Sequence, residues 1–242
     1  MKTLLITGTD TDVGKTWVSS LLLRNLTQLE LRVGAYKPVC SGATISPDGS
    51  SSWHDVDMLA ESCGWLGDRQ MICPQTFQAA VAPNIAAEME GRTVDDELLI
   101  GGAEAWQSSV DYLLVEGAGG LLCPLSNSST VADFAIRLAA PIVIVAANRL
   151  GMINHTLLTV AVARQRELRI AAIIVNDTLG TAKDVSRTSN QRQLQHWLPD
   201  VCILSCRHSA TYIENSNGAK IAVRELFGDG SDANTAPANF PI

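Results

Sequence analysis

A glycine-rich segment near the start of the chain limits its possible folds more than any other feature. The residues Gly-Thr-Asp-Thr-Asp-Val-Gly-Lys-Thr, at 8–16, follow the apolar run Thr3–Thr7 and open the amphipathic stretch Lys15–Leu29. A loop between a buried strand and a helix brings backbone N–H groups and the positive end of the helix dipole together, and this arrangement binds phosphate. In such loops the lysine reaches the β- and γ-phosphates, and the next hydroxyl binds Mg²⁺. The spacing between the two glycines is one residue longer than in the strict motif, but strand, loop and helix follow in the required order, so we predict an ATP-binding phosphate loop.

The rest of the chain alternates between short apolar runs and stretches of helical length. His155–Leu168, like Lys15–Leu29, places its apolar residues on one side, as a helix packed on a sheet does. Short runs of β-branched and other apolar residues indicate strands buried on both faces, which is typical of parallel sheets. These runs are Thr3–Thr7, Val33–Tyr36, Tyr112–Val115, Ile142–Ala147 and Ala171–Val175. We therefore predict an α/β fold with a doubly wound, mostly parallel sheet and helices on both faces, of the P-loop NTPase type.

The domain organisation is simple, because no repeat or interdomain linker interrupts the alternation. We predict a single domain over residues 1–227 and a flexible C-terminal tail over 228–242, which is rich in Gly, Asp, Asn and Pro. The segment Gly42–Trp53, rich in Gly, Ser, Pro and Asp, predicts one long loop.

The composition and net charge limit the classes of molecule that the protein could bind. The 242 residues include 18 Lys and Arg against 25 Asp and Glu, a net charge of -7. An acidic balance argues against a protein that binds nucleic acid or an anionic membrane through bulk positive charge, and leaves room for a small local anion site. The six cysteines lack a metal-ligand spacing, the longest apolar run, Ala139–Ala147, is too short to span a bilayer, and the start has no signal-peptide pattern. We expect a cytoplasmic protein with reduced thiols.

Further charged residues stand where predicted strands end. Glu116 closes the run Tyr112–Val115 and is followed by Gly-Ala-Gly-Gly, whose backbone can approach an anion closely, and Lys37 closes Val33–Tyr36. Ligands of open α/β sheets gather at the carboxyl ends of the strands. Glu116 is therefore a candidate Mg²⁺ ligand and Lys37 a candidate contact for an anion beside the γ-phosphate. Asp55 and Asp57, beyond the long loop, are further Mg²⁺ candidates.

Several motifs together resemble one known family. They are Gly8–Thr16, Tyr36–Gly42 (Tyr-Lys-Pro-Val-Cys-Ser-Gly), Val115–Gly120 (Val-Glu-Gly-Ala-Gly-Gly), Leu150–His155 (Leu-Gly-Met-Ile-Asn-His) and Val175–Asp177 (Val-Asn-Asp). In order and in spacing, including the extra residue of the phosphate loop, this set is similar to the dethiobiotin synthetase family. The resemblance covers residues 1 to about 177.

The resemblance implies an ATP-dependent ligase that closes a ring in biotin synthesis. In that reaction 7,8-diaminopelargonic acid takes up CO₂ as a carbamate, the carbamate attacks the γ-phosphate of MgATP, and the resulting carbamic–phosphoric anhydride is closed by the second amine to give the ureido ring of dethiobiotin. Phosphoryl transfer needs positioning and charge neutralisation more than covalent help from the protein.

The resemblance also implies a role for each matching residue. Lys37, Lys15 and Thr11 would act in catalysis, and Asp55 is preferred over Asp57 as a metal ligand because its spacing to Leu59 follows the family pattern. The implied nucleotide contacts are Asp12, Val13, Gly14, Lys15, Thr16, Trp17, Glu116, Gly119 and Asn176, the last through adenine. The implied Mg²⁺ ligands are Thr16, Asp55 and Glu116. The implied substrate contacts are Thr11, Lys37, Ser41, Gly117, Ala118, Gly151 and Asn154. Gly151 and Asn154 would act from a second subunit, so the family implies a homodimer with the substrate site at its interface.

The chain departs from the family pattern at two places. Asp12 stands where glutamate is common, and Val201–His208 occupies the place of a Leu-Gly-x-Ile-Pro-like turn without its glycine or proline.

Three other functions fit part of the pattern. A partitioning-type ATPase would carry a second lysine early in the phosphate loop, where this chain has Asp10. A cobyrinic-acid amide synthase would add a glutaminase domain, for which we expect no room. A homologue that binds nucleotide without turnover is disfavoured by the presence of Lys15, Thr16, Lys37 and Glu116.

Overall fold

The computed structural model describes residues 1–178 and 184–228, so all of the predicted tail except Gly228 lies outside the described residues. Within them the chain forms ten strands: β1 (Lys2–Gly8), β2 (Val33–Tyr36), β3 (Cys40–Ser41), β4 (Thr44–Ile45), β5 (Ser51–Ser52), β6 (Thr76–Phe77), β7 (Tyr112–Gly120), β8 (Ile142–Ala147), β9 (Ile170–Asn176) and β10 (Ile203–Cys206). Nine α-helices are described as well: α1 (Lys15–Thr27), α2 (His54–Ser62), α3 (Arg69–Ile72), α4 (Pro83–Met89), α5 (Asp96–Glu104), α6 (Val131–Leu138), α7 (Met152–Gln165), α8 (Asn190–Trp197) and α9 (Val223–Leu226). A short 3₁₀ helix, Val185–Thr188, precedes α8.

Six of the strands form one parallel sheet in the order β10-β9-β8-β1-β7-β2. β1 lies inside the sheet, with Leu4 opposite Leu114 of β7 and Leu5 opposite Ile142 of β8. All six residues of β8 are buried, as expected for a strand covered on both faces. The predicted parallel α/β fold is confirmed.

Helices cover both faces of the sheet. The chain moves from β1 to β2 in one direction along the sheet and returns from β7 through β8 and β9 to β10 in the other. Because parallel crossovers are right-handed, α1 lies on one face and α6, α7 and α8 on the opposite one. Contacts agree with this, since α1 packs against α2 and α9, while α7 packs against α8.

The reversal of direction at β1 creates a crevice. The connection after β1 runs toward β2 on one side of the sheet, whereas the connection after its neighbour β8 runs toward β9 on the other side. The loops at the carboxyl ends of β1 and β8 therefore separate. Open α/β sheets bind ligands in the crevice at such a point. The phosphate loop predicted from the sequence, residues 8–16, begins at the carboxyl end of β1.

Two predictions about local structure differ from the fold. The segment predicted as one long loop contains a small antiparallel hairpin, in which Thr44 pairs with Ser52 and Ile45 with Ser51. Ile203–Cys206, treated at the sequence level only as a missing family turn, is a strand at the edge of the sheet. Among the described residues, none of the helices combines the length and the apolar character that a bilayer crossing requires.

Candidate active site

The phosphate loop is held in place at both of its ends. At its start, the backbone N–H of Thr9 donates to the carbonyl of Val145 in β8 at 3.0 Å. At its end, Gly14 precedes the first turn of α1 with φ of +84°, a conformation that favours glycine. A Cβ at Gly14 would lie 2.2 Å from Nδ2 of Asn176, so space as well as backbone conformation requires glycine here.

Lys15 folds back across this loop. Its Nζ donates to the carbonyl oxygen of Asp10 at 3.1 Å, so the ammonium lies over the loop. Burial lowers the pKa of Lys15, Glu116 acts to raise it, and the nearby positive charge of Lys37 lowers it further, with a net shift downward. An anion bound in the loop would supply the negative charge that this partly uncompensated cation needs.

Glu116 is the centre of the charged cluster. Its side chain is fully buried at the middle of β7, directly before the glycine-rich half of that strand. Its Oε1 accepts hydrogen bonds from Thr16 Oγ1 at 2.8 Å and from Lys37 Nζ at 2.7 Å. The other carboxylate oxygen, Oε2, is buried without a hydrogen-bond partner. A buried carboxylate oxygen with no partner is costly, so a ligand of positive charge at this atom would be favourable.

Lys37 lies between two carboxylates. Its Nζ also donates to Asp55 Oδ2 at 2.7 Å, and the residue is only 3% exposed. Burial lowers the pKa of Lys37, but Glu116 and Asp55 more than offset this effect, and the net pKa is well above the usual range. Lys37 is therefore positively charged at neutral pH. Because Asp55 belongs to α2 and Glu116 to β7, the lysine joins three separate parts of the chain.

The choice between the two aspartates follows from where they lie. Asp55 contacts Lys37 directly, and the Lys37 charge lowers the Asp55 pKa against the opposing effect of burial. Asp57 lies two residues further along α2, where its Oδ1 contacts Nε of Arg69 at 3.4 Å in an exposed pair. The geometry therefore favours Asp55 over Asp57 as part of the cluster.

The glycine-rich end of β7 runs along the phosphate loop. The pairing of β1 with β7 is interrupted after Ile6 and Glu116 and resumes at Gly8 and Gly120. Over this stretch β7 advances four residues while β1 advances two, so the backbone of β7 bulges. A Cβ at Gly119, which has φ of +59°, would lie 3.7 Å from Thr11 Oγ1. The bulged backbone, Gly117–Gly119, and the Thr11 hydroxyl thus border the same space.

The residues present fit a magnesium ion. Mg²⁺ is usually bound by one or two carboxylates together with phosphate oxygens and water. Glu116, with its unpaired Oε2, the hydroxyl of Thr16 and the carboxylate of Asp55 form such a set. No group of three or more His, Cys, Asp or Glu side chains placed to bind a metal occurs within residues 1–178 and 184–228.

Asn176 lies on the other side of the loop. The residue is 3% exposed, and its Nδ2 donates to the carbonyl of Val13 at 2.9 Å. Its side chain is therefore fixed against the end of the phosphate loop, away from the Lys37 and Glu116 cluster.

Three predicted substrate contacts lie outside the cluster. Ser41, in β3, donates its hydroxyl to the carbonyl of Val81 at 2.6 Å. Gly151 and Asn154 lie at the exposed start of α7, and in the part of the chain that the structure describes no hydrogen bond joins them to Lys37, Glu116 or Asp55.

Two residues near the loop were not found from the sequence. Arg149 NH2 approaches Asp10 Oδ2 at 3.5 Å, and Cys123 lies so close to Gly119 that a Cβ there would be 2.8 Å from its Sγ. Arg149 follows β8, the neighbour of β1, so the rule that ligand-site residues follow strand ends could have found it. Nothing in the sequence pattern points to Cys123.

Comparison with known proteins places the chain in a family. A family model described as an AAA domain matches residues 2–206. The ATP-dependent dethiobiotin synthetase BioD of Anaeromyxobacter sp. (strain Fw109-5) is 40% identical over 181 residues, which cover 75% of this chain and 79% of that protein. The protein of the same name from Anaeromyxobacter dehalogenans (strain 2CP-C) is 38% identical over 212 residues, covering 83% of this chain and 92% of that one. The chain belongs to the dethiobiotin synthetase family. The predicted family, and with it an ATP-dependent ligase, is confirmed.

Solved structures that resemble the chain share its fold at low sequence identity. The signal recognition particle receptor FtsY from Elizabethkingia anophelis matches with a TM-score of 0.52 and 14% identity, covering 94% of this chain and 64% of FtsY. McdA from Cyanthece matches with a TM-score of 0.50 and 16% identity, covering 93% of each chain. These matches support the predicted P-loop NTPase-like fold of this dethiobiotin synthetase family member and carry no information about its substrates.

Proposed function

We propose that the chain is a dethiobiotin synthetase, which uses MgATP to carboxylate 7,8-diaminopelargonic acid and close the ureido ring. The observation that carries this proposal is the position of Lys37. Its buried ammonium contacts Glu116 and Asp55 at 2.7 Å each, and Glu116 in turn accepts from Thr16 of the phosphate loop. A fixed positive charge beside the γ-phosphate position is what a reaction between two anions needs.

The first two steps form the carbamate and transfer the γ-phosphoryl group of ATP to it. One amine of the diamine attacks CO₂ and loses a proton, giving a carbamate. A carbamate oxygen then attacks the γ-phosphorus, the bond from that phosphorus to the β–γ bridging oxygen breaks, and ADP leaves with the electron pair. Lys37 would bind the carbamate and the γ-phosphate together, while Lys15 would neutralise charge on the β- and γ-phosphates.

Ring closure follows from the mixed anhydride. The second amine attacks the carbonyl carbon, the C–O bond to phosphate breaks, and one more proton is released with phosphate and dethiobiotin. The Thr11 hydroxyl, Ser41 and the backbone of Gly117, Ala118 and Gly119 would hold the carbamate end and the transferred phosphoryl group. The closeness of the two positions supports this assignment, since a Cβ at Gly119 would lie 3.7 Å from Thr11 Oγ1.

Mg²⁺ would be held by Thr16, Glu116 and Asp55, and when bound it would neutralise charge on the phosphate oxygens. Asp12, Val13, Gly14 and Trp17 belong to the proposed nucleotide contacts, together with Gly119 and Asn176. Gly151 and Asn154 would reach the substrate from the partner subunit of a homodimer, for which their exposed position at the start of α7 leaves them accessible. The cytoplasmic location stays a prediction.

A reconstituted assay tests the proposal. Purified protein is supplied with diaminopelargonate, bicarbonate and MgATP, and both phosphate release and dethiobiotin, identified by its mass, are measured. We expect phosphate release that depends on the diamine and matches dethiobiotin in amount. ATP hydrolysis at the same rate with and without the diamine would contradict the proposal, whether or not DNA or lipid stimulates it.

A further inference from the structure

The loop that we propose to bind phosphate contains an exposed acidic residue. Asp10 lies within residues 8–16, close to Thr11 and Lys15. A carboxylate beside a polyphosphate weakens binding, because like charges repel each other even where water screens them. A residue of opposite charge near Asp10 would offset this cost.

Asp10 orders the loop as a hydrogen-bond acceptor. Its Oδ1 accepts from the backbone N–H of Thr11 at 2.7 Å, and its carbonyl oxygen accepts from Lys15 Nζ at 3.1 Å. Short polar side chains that bond to neighbouring backbone groups stabilise turns of this kind. An asparagine oxygen could accept the same hydrogen bond from Thr11. The loop therefore uses the oxygen atoms of Asp10, and the negative charge comes with them.

Arg149 supplies the opposite charge. Its NH2 lies 3.5 Å from Oδ2 of Asp10, the carboxylate oxygen that does not accept from Thr11. The two side chains are 48% and 51% exposed, and pairs with this much exposure contribute little to folding stability. We therefore expect the effect of the pair in anion binding, where the charge of Asp10 acts directly on the ligand.

The backbone of Arg149 is fixed by several hydrogen bonds. Its carbonyl accepts from the N–H of Met152 at 3.2 Å and from Nδ2 of Asn190, a buried residue, at 3.3 Å. The N–H of the next residue, Leu150, donates to Asp184 at 2.8 Å. Because β8 is the neighbour of β1, these contacts hold the arginine beside the start of the phosphate loop.

We propose that Arg149 is a positioning residue of the triphosphate site, which acts through Asp10. By offsetting and orienting the Asp10 carboxylate, it lets this acid order the loop at Thr11 and Lys15 without repelling the phosphates. The ligand class is a magnesium-bound polyphosphate. This inference deepens the proposed function and rests on it only for the binding of such a ligand at residues 8–16.

Binding of a polyphosphate that has no base tests the proposal. Titration calorimetry measures magnesium tripolyphosphate on the wild type, Arg149→Ala, Arg149→Lys, Asp10→Asn and the variant that combines Asp10→Asn with Arg149→Ala. We expect Arg149→Ala to weaken binding about 3- to 10-fold, because the Asp10 charge is then uncompensated, and Arg149→Lys to stay within about 2-fold of the wild type. When Asp10→Asn is present, Arg149→Ala should have almost no effect, since the charge to be offset is gone. The loss should also shrink as the ionic strength rises from about 0.01 M to about 0.15 M.

Arg166→Ala is the matched control. It removes the same charge from the molecule, and Arg166 is also a partly exposed arginine paired with an aspartate, since its NH1 lies 2.8 Å from Oδ1 of Asp133. Arg166 follows α7 at the opposite end of that helix from Arg149. Tripolyphosphate affinity should therefore not change in Arg166→Ala, and a loss equal to that of Arg149→Ala would overturn the inference.

Turnover separates this role from a purely structural one. In the reconstituted assay Arg149→Ala should raise the KM for MgATP by a similar factor and leave kcat within about 2-fold, because the Asp10 charge acts alike on bound and reacting phosphates. A lower kcat at unchanged KM would overturn the inference. So would unchanged tripolyphosphate affinity in Arg149→Ala, or an equal loss with and without Asp10→Asn. If tripolyphosphate binds with the expected properties but phosphate release does not depend on the diamine, the proposed function fails and the role of Arg149 stands.

Discussion

At the scale of single residues, Lys37 shows how a buried charge can be kept in a protein. Removing a lysine ammonium from water is expensive, and two carboxylates at 2.7 Å offset this cost. The fully buried Glu116 depends on the lysine in the same way. Removal of either partner would leave an unpaired buried charge, and under the proposed mechanism Lys37 also acts on the substrate, so a substitution at Lys37 affects both stability and turnover.

The first prediction concerns Lys37→Gln. Glutamine keeps hydrogen-bonding capacity but removes the charge, and we expect diamine-dependent phosphate release to slow by about 10²- to 10³-fold, as for the loss of a preorganised electrostatic group. The midpoint of thermal unfolding should also fall, because Glu116 loses its counter-charge.

Rates must accordingly be measured well below the unfolding midpoint of Lys37→Gln. Tripolyphosphate affinity serves as the control for an intact loop. Turnover at the wild-type rate would show that Lys37 has no part in the chemistry.

Part of this cluster could be predicted from single residues. Lys37 and Glu116 each close an apolar run, and the carboxyl ends of neighbouring parallel strands meet, so their proximity follows from β2 and β7 being adjacent. The contact of Lys37 with Asp55 could not be predicted in this way, because Asp55 is on a helix beyond a loop.

At the scale of elements, α5 shows how closely a helix can approach a buried side chain. The hydroxyl of Tyr36, from β2, donates to the carbonyls of Leu98 and Leu99 at 3.0 and 2.9 Å. A Cβ at Gly102 would lie 2.3 Å from this hydroxyl, whereas a Cβ at Gly101 would meet nothing within 4 Å. These two adjacent glycines of α5 therefore differ in whether a larger side chain would fit.

The second prediction compares these two positions. Gly101→Ala should raise the free energy of unfolding by about 0.5–1 kcal/mol, because alanine is the better helix former and restricts the unfolded chain. Gly102→Ala should lower it by about 1–3 kcal/mol, because the added methyl overpacks against Tyr36. Urea midpoints measured at unchanged m values give both numbers, and a Gly102→Ala variant as stable as the wild type would contradict the packing described.

α5 also anchors the loop that follows the glycines of β7. Asp96, in the first turn of α5, accepts hydrogen bonds from the hydroxyls of Ser126 at 2.7 Å, Ser128 at 2.5 Å and Ser129. Burial acts to raise the Asp96 pKa, but the three hydroxyls and Arg137 more than offset it, so the net shift is downward. The carboxylate form is therefore the one that stabilises the fold.

The third prediction is the pH dependence of Asp96→Asn. A lowered pKa in the folded state contributes stability above the unfolded pKa of about 3.9, and this contribution is lost as the pH falls through the folded value. We expect the variant to be less stable than the wild type by about 1 kcal/mol at pH 7, with the difference shrinking below about pH 4.

Glu97→Gln is the matched control for Asp96→Asn, because Glu97 is in the same helical turn, where its exposed side chain contacts Arg137 at 3.0 Å. Exposed ion pairs contribute little, so its effect should stay within about 0.5 kcal/mol at either pH. A stability difference for Asp96→Asn that is constant from pH 7 to pH 3 would rule out this role for the carboxylate.

Strands that are buried in the sheet could be predicted from the sequence, because burial requires an apolar run of residues. Val33–Tyr36 and Ile142–Ala147 were predicted with the bounds that the structure has, since each is an unbroken apolar run in the sheet. β4 and β5 are only two residues long and pair through their backbones, so the sequence contains no alternating apolar pattern that would predict them. β10 includes a partly exposed serine at the sheet edge, which interrupts its apolar pattern.

At the scale of the whole molecule, the fourth prediction tests the proposed homodimer. Lys37→Gln and Asn154→Ala should each have little activity alone, and mixing them under conditions that exchange subunits should restore activity. If each site combines Lys37 of one subunit with Asn154 of the other, half of the dimers are mixed and each mixed dimer has one intact site, so about a quarter of wild-type activity returns.

The mixture is compared with each variant mixed with itself, and sedimentation is measured in parallel. A mixture of Lys37→Gln and Asn154→Ala that gains nothing, although the subunits exchange, would contradict a shared site. A chain that sediments as a monomer at assay concentration would contradict the dimer itself.

The place of β1 inside the sheet has a consequence for how the protein is made. Both partners of β1 come much later in the chain: Leu4 pairs with Leu114, and Leu5 with Ile142. At about 5–20 residues per second, a ribosome needs several seconds or more to deliver them after β1 has emerged. During this time Leu4, Leu5 and Ile6, which are fully buried at the end, have no strand to pair with. The growing chain is therefore most prone to aggregation before β7 and β8 appear, and chaperones that shield its N-terminal segment over that interval should raise the yield of folded protein.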